Sequence, residues 1–383
     1  MRVAQLTGLR EVEICEAPAP RLDRSDAVLL RIDRAGICGS DVHYYRDGRV
    51  GDQAIQYPQT LGHECAGTVV EVGPAVESLA AGDRVAVDPA IACGTCDQCR
   101  AKRFHTCRRL QFMGSPGQGP GAMAEYRVLP AENCFPIPDG MSLDQAVLVE
   151  PLSVGLYAVQ LAGLAEEGGR KFSTRKPSPP APLPKGEGSV CRIAVLGAGP
   201  IGLCVLLAAK ATARCRVYVT DLVDERLAVA RRCGADWTGN ARHGDAAAQI
   251  ARQEPGGVDL VFECSGDPAC IDQALDILAP GGTLMLLGIP AAERVEFDIH
   301  RMRRAEIGFK SVRRQNGCMA PAIRMVSRGQ IDVGPLLTHR FALDDLRAAF
   351  ELVAGYRDGV VKAVLQLGSD HHEPFAGQPA VWA

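Results

Sequence analysis

The sequence predicts an α/β protein of two domains, one a compact β domain and the other a doubly wound parallel sheet. Three observations predict it. Over roughly residues 1–140, short runs of alternating apolar and polar residues are parted by Gly and Pro, as antiparallel strands require. From Arg192 onward, apolar strands alternate with helical runs, the order that builds a parallel sheet. Where the pattern changes, Gly197-Ala198-Gly199-Pro200-Ile201-Gly202 stands between a strand and a helix.

Composition bounds the function. The 383 residues suffice for two cores, and 47% apolar with 23% charged residues is ordinary for a soluble globular chain. Forty-two Lys and Arg against 45 Asp and Glu leave a net charge of −3, so no bulk field favours nucleic acid or an anionic membrane, and a small-molecule partner is expected. No apolar run has bilayer-spanning length, and Met1-Arg2-Val3-Ala4-Gln5 lacks the apolar core of a signal peptide, so the expected location is the cytoplasm. Fifteen cysteines, an odd number in clustered spacing, fit metal ligands and buried thiols better than disulfides.

Taken in order, the runs up to about residue 35, such as Ala27-Val28-Leu29-Leu30-Arg31-Ile32, read as antiparallel strands. Cys38-Gly39-Ser40-Asp41-Val42-His43 is expected in the turn that follows, to be read together with Gly62-His63-Glu64. A thiolate, an imidazole and a carboxylate on two loops are ligands that Zn²⁺ accepts with one coordination position left open, the arrangement of catalytic sites. Between them Ser40 and His43 are able to pass a proton. The competing reading is a buried Cys and an unrelated surface His. Strands resume at Thr68–Val72 and Val85–Val87. Cys93, Cys96, Cys99 and Cys107 follow at intervals of three, three and eight residues, a set that closes a tetrahedral structural zinc site. Unmetallated loop thiols are the alternative, and His105 is available to replace one of the four.

After short strands at 121–140, Val147–Gly155 opens a helix with Glu150 in an apolar run. That acid either complements the helix amino terminus or faces the metal and its water. Residues at about 166–188 are Pro-rich and basic, and are expected to form an exposed insertion; a docking site for a Pro-recognising partner is the alternative. The strand Arg192–Leu196, the glycine turn, the helical run Leu203–Ala211 and the strand Arg216–Thr220 ending in Asp221 make a dinucleotide unit, with the acid 24 residues after Gly197. The glycines let a pyrophosphate approach the helix amino terminus, and the acid accepts from ribose hydroxyls and repels a 2′-phosphate, so NAD is favoured over NADP. Further units are expected at Val258–Cys264 and Thr283–Gly288, then a basic stretch after Asp298, helices at 319–328 and 344–354, a strand Val360–Leu367, and a frayed tail whose His371-His372 pair forms no metal site.

Cys-x-Ser-x-x-His, Gly-His-Glu, the four-Cys loop, Glu-Pro-Leu-Ser-Val-Gly and Gly-Ala-Gly-Pro-Ile-Gly, in this order, resemble the zinc-dependent medium-chain alcohol dehydrogenases, and among them the sorbitol (L-iditol) and xylitol dehydrogenase branch. The resemblance implies a GroES-like catalytic domain of residues 1–155 completed by 300–383, a Rossmann domain of 156–299, two zinc ions and NAD per chain, and a homo-oligomer, tetramer or dimer. It implies Cys38, His63 and Glu64 as zinc ligands, with Glu150 on the metal's water or on substrate. Tyr44, Phe112, Ser115, Glu150, Arg313 and Arg314 would contact substrate. Gly197, Gly199, Pro200, Ile201, Gly202, Asp221, Arg226, Leu287, Gly288, Ile289, Val312 and Arg313 would contact NAD. The implied reaction is oxidation of a polyol's secondary hydroxyl, the proton leaving through Ser40 and His43. Where the family has Phe-Arg-Tyr this chain has Val312-Arg313-Arg314; either the substrate carries an acidic group, such as a sugar acid, or Arg314 pairs with a neighbouring acid or the cofactor pyrophosphate. A dehydrogenase of simple alcohols or threonine, and a catalytically silent NAD-binding scaffold or redox protein, are the other readings.

Overall fold

A computed structural model describes residues 1–164 and 190–368. The Pro-rich insertion and the tail with His371-His372 lie outside the described residues.

The first layer is organised around the strand Ala27–Gly36. Glu64–Val72 pairs antiparallel with it on one side; Tyr126–Pro130 and Lys362–Gln366 share the other, the former along its start and the latter along its end. Val28, Leu30 and Ile32 alternate along the strand and are fully buried, the period of two that puts one face of a strand in the core. Arg84–Val87 and Cys134–Pro136 extend the sheet at one edge and Leu337–Ala342 at the other.

The second layer is a six-stranded sheet with every pair parallel. Its first three strands in sequence, Cys191–Leu196, Cys215–Asp221 and Trp237–Asn240, run outward on one side, and Val258–Glu263, Leu278–Leu286 and Gly308–Ser311 on the other. The order reverses at Cys191–Leu196, which leaves a crevice at its carboxyl end where dinucleotides bind in such sheets. Gly308–Ser311 joins this sheet, beyond the expected limit at 299. The helix Val149–Leu161 buries Leu152, Leu156 and Val159 in a core that takes in Leu203 and Leu206 as well as Ala66 and Ala86 of the first sheet.

A second expectation fails locally. Cys38–His43 is not a turn: Cys38 caps the helix Gly39–Asp47, its amide donating to Asp41 Oδ2 at 3.0 Å, and Gly48 at φ 69° ends it. Val42, Tyr44 and Tyr45, residues at home in strands, are buried on this helix because tertiary packing overrides propensity.

Candidate active site

Cys38 and His63 reach one point because their segments meet at the strand ends, and Glu64 is the first residue of Glu64–Val72, paired directly with Gly36. Ligand atoms of Cys38, His63 and Glu64 all lie within 4.8 Å of one another. Gly36 makes this possible, since a Cβ there would overlap the Glu64 carboxylate. Lys362 Nζ donates to both Glu64 oxygens at 2.6 Å and to the Ile37 carbonyl at 3.2 Å. Asp41 sits 3.7 Å from His63 Nδ1 and accepts from the Gly62 amide. Burial disfavours charge on His63, yet Asp41 and the Cys38 thiol raise its pKa well above the ordinary value. A soft thiolate, an imidazole and a carboxylate converging on one point fit zinc.

Glu150 sits at a helix start beside the cluster. It lies in the first turn of Val149–Leu161, is 7% exposed, and has His63, Glu64 and Lys362 among its electrostatic neighbours, but it stands outside the three-residue ligand set. Burial pushes its carboxyl up to about 7. Ser40 and His43 are three apart on their helix, hence on one face, and His43 Nδ1 meets Asp47 Oδ2 at 3.2 Å near the surface.

Above the cluster, Phe112 tilts against His63 at 5.2 Å between ring centres, with Tyr44 and Ser115 buried nearby. The Arg314 guanidinium lies 3.5 Å over the Phe112 ring, and its Nη1 is buried without a hydrogen-bond partner. Arg313, expected at substrate and cofactor, donates its Nε to the His105 carbonyl at 3.2 Å.

The four-Cys loop closes on itself. Sγ atoms of Cys96 and Cys99 are 3.5 Å apart, and Cys93–Cys99 and Cys96–Cys107 are each 3.9 Å apart. Sulfurs at the corners of a tetrahedron around zinc are separated by ~3.8 Å, given Zn–S of ~2.3 Å. The Thr95 amide, followed by Arg109, holds the Cys93 thiol down to about 5, which favours the ligating thiolate. His105 is not a fifth candidate; its Nε2 meets the Tyr157 hydroxyl at 3.0 Å.

The glycine turn forms a cradle. Gly197 adopts φ 103°, a Cβ on Gly202 would overlap the Gly197 carbonyl, and the space beside Gly199, which caps the helix Pro200–Thr212, is open. Ile201 is half-buried in the first turn of that helix. Asp221 is fastened to this turn by the Ala198 amide at 2.7 Å, with the Leu222 and Val223 amides on its other oxygen. A cavity of about 460 Å³ lined by Leu222, Val223, Asn240 and Arg242 opens beyond it. Arg226 faces Asp221 electrostatically but spends its Nε on the Val360 carbonyl at 2.8 Å. Leu287 and Gly288 donate to the Glu263 carbonyl at the crevice, Ile289 is exposed beside them, and the Val312 amide donates to Leu286. These residues fit a dinucleotide lying across the crevice.

Lys362, Asp41 and Gly36 are site residues that the sequence alone does not single out. Lys362 carries a signal, a single charge inside Val360-Val361-Lys362-Ala363-Val364-Leu365; Asp41 and Gly36 carry none beyond adjacency to Cys38.

The alcohol dehydrogenase GroES-like domain family matches residues 24–139, and the zinc-binding dehydrogenase family matches 200–328. The chain therefore belongs to the zinc-dependent medium-chain alcohol dehydrogenases, NAD-linked oxidoreductases of a GroES-like and a Rossmann domain. Within them it falls in the sorbitol and polyol branch. It is 33% identical over 366 residues to sorbitol dehydrogenase of Bacillus subtilis (strain 168), covering 95% of this chain and 97% of that one. It is 34% identical to L-idonate 5-dehydrogenase of Vitis vinifera, covering 92% and 91%. An alcohol dehydrogenase from Escherichia coli CFT073, solved with NADH, superposes with a TM-score of 0.81 at 27% identity over 96% of this chain and 99% of that one.

Proposed function

We propose that the protein oxidises a secondary hydroxyl of a polyol or sugar acid, with zinc at Cys38, His63 and Glu64 and NAD across the crevice. The observation that carries it is the Cys38–His63–Glu64 cluster, with Cys38 half-buried and the other two buried, lying beside Tyr44, Phe112 and Ser115. When bound, zinc supplies a Lewis acid that lowers the pKa of the hydroxyl, and NAD supplies the hydride acceptor. Ser40 takes the hydroxyl proton and His43 delivers it to solvent beside Asp47. Tyr44 and Ser115 orient the remaining hydroxyls, Glu150 presents a carboxylate toward the reacting end, and Phe112 keeps water from it. Gly197, Gly199 and the amides of the following helix turn receive the pyrophosphate, Asp221 the ribose, and Leu287, Gly288 and Ile289 the nicotinamide end. Cys93, Cys96, Cys99 and Cys107 hold a second, structural zinc.

NAD reduction measured across polyols, aldonates, threonine and short alcohols tests the assignment, and turnover confined to threonine or short alcohols rules it out. A reducing, cytoplasmic setting is supported by fifteen unpaired cysteines. Among the described residues no helix is long and apolar enough to cross a membrane. A homo-oligomer, dimer or tetramer, is supported by the sheet's edge strand Gly308–Ser311, where exposed Phe309 stacks on exposed Phe297 at 6.0 Å. Sedimentation of wild type and Phe309→Glu tests it; a wild-type monomer excludes it.

A further inference from the structure

Arg314 is held in place at some cost. Its backbone sits at φ 53°, a left-handed conformation that side-chain-bearing residues seldom adopt and that persists where surroundings impose it. The surroundings here are explicit. On one side Arg313 is tied to the His105 carbonyl; on the other, Gln315 Nε2 donates to Asp88 Oδ2 at 2.6 Å, and Asn316 accepts from the Phe104 amide and donates to the Lys102 carbonyl. Three neighbours thus clamp this segment to the β domain, and Arg314 is the residue between them whose side chain the clamp leaves free of hydrogen-bond partners at Nη1.

The guanidinium is a fixed cation in a poor environment for one. Burial brings its pKa down to about 10, Nη1 has no acceptor, and among the described residues it forms no ion pair. Its contact is the face of Phe112, whose own ring packs on His63 of the candidate metal cluster. Stacking on an aromatic face orients the plane of an arginine and leaves its edge, the fork of N–H donors, directed away from the ring. Such a fork matches the two oxygens of a carboxylate or phosphate in pairs, and a buried donor without an acceptor gains most from finding one.

Resting on the hydroxyl-oxidation reading, we infer that Arg314 binds an anionic group, carboxylate or phosphate, on the substrate while another carbon of the same molecule meets the Cys38–His63–Glu64 cluster. The preferred substrate is then a polyhydroxy acid or a polyol phosphate, with neutral polyols accepted less well. Arg314 acts as a specificity-determining residue.

Steady-state kinetics with NAD on the zinc-loaded wild type, Arg314→Met and Arg314→Lys, using D-sorbitol, L-idonate and galactitol 1-phosphate, test this, with calorimetric binding of the two anions to the same proteins. Wild type is expected to favour one of the anions over sorbitol, and which one tells carboxylate from phosphate. In Arg314→Met the ratio of kcat/KM for that anion to kcat/KM for sorbitol should fall on the order of 10- to 100-fold, mainly through KM, with matching loss of anion binding and an unchanged KM for NAD. Arg314→Lys, which keeps the charge without the planar fork, should recover part of the ratio. An unchanged ratio, or a wild type that favours sorbitol, overturns the inference and leaves the hydroxyl-oxidation reading standing. A common fall for all substrates with a raised KM for NAD also overturns it, by assigning Arg314 to the cofactor. If wild type oxidises none of the three, the underlying reading fails, and the calorimetric loss in Arg314→Met still decides whether the guanidinium binds anions.

Discussion

Lys362 Nζ lies 2.6 Å from both carboxylate oxygens of Glu64, each side chain 1% exposed, so a candidate metal ligand is simultaneously the counter-ion of a buried lysine. The pair lies at the end of the central β strand, with Lys362 Nζ also donating to the Ile37 carbonyl at 3.2 Å. Replacing one member leaves the other charge buried and uncompensated. Lys362→Met should therefore cost ~3–5 kcal/mol in urea unfolding. It should also lower zinc content, because Glu64 loses the contact that orients it. Wild-type stability and full zinc occupancy in the variant would show that the pair is dispensable.

Two clusters with different openness imply two zinc ions with different jobs. Cys38→Ala should lose one zinc and nearly all turnover while keeping its circular dichroism spectrum. Cys96→Ala should lose the other and chiefly lower the melting temperature, since a closed structural site contributes to folding. Metal analysis returning a single zinc in wild type contradicts the pairing.

Cofactor choice follows from Asp221, which is anchored by the Ala198, Leu222 and Val223 amides at the mouth of the crevice. A fixed carboxylate there accepts from ribose hydroxyls and repels a 2′-phosphate. Wild type should prefer NAD to NADP in kcat/KM by a wide margin, and Asp221→Ser should narrow it. Equal use of both by wild type would falsify the role.

Asp88 gives a pH signature. Burial, only partly offset by bonds from the Ala90 amide and Gln315, holds its carboxyl up to about 6 against an ordinary value of 3.8. The folded state thus binds this proton more tightly than the unfolded state does. The stability this group contributes is full below about pH 4 and is lost as pH rises through about 6. Asp88→Asn should flatten that portion of the curve of unfolding free energy against pH. Parallel curves for the two proteins between pH 4 and 7 would mean the carboxyl titrates normally.

Local chemistry is legible in the amino-acid sequence alone. Thiol, imidazole and carboxylate at loop spacing, four cysteines three and eight residues apart, and a glycine turn between strand and helix each reflect a constraint within one short segment. Legibility ends where the constraint spans the chain. The Arg313–His105 and Gln315–Asp88 bonds join residues 208 and 227 positions apart, and no local pattern marks either partner. The helix Gly39–Asp47 is hidden for a related reason: its buried Val42, Tyr44 and Tyr45 favour strands in isolation, and packing decides otherwise. Domain limits mislead because Gly308–Ser311 carries no sign of which sheet it joins until its parallel partner, Leu278–Leu286, is in place.

The placement of Lys362–Gln366 against the end of Ala27–Gly36 also orders events at the ribosome. Glu64 emerges 298 residues ahead of the lysine that neutralises it. The parallel sheet needs no strand beyond Ser311, so it is able to close on the nascent chain while the β layer still lacks a neighbour at its centre. The Glu64 carboxylate therefore meets the Lys362 ammonium only once the last strand of the β layer is in place.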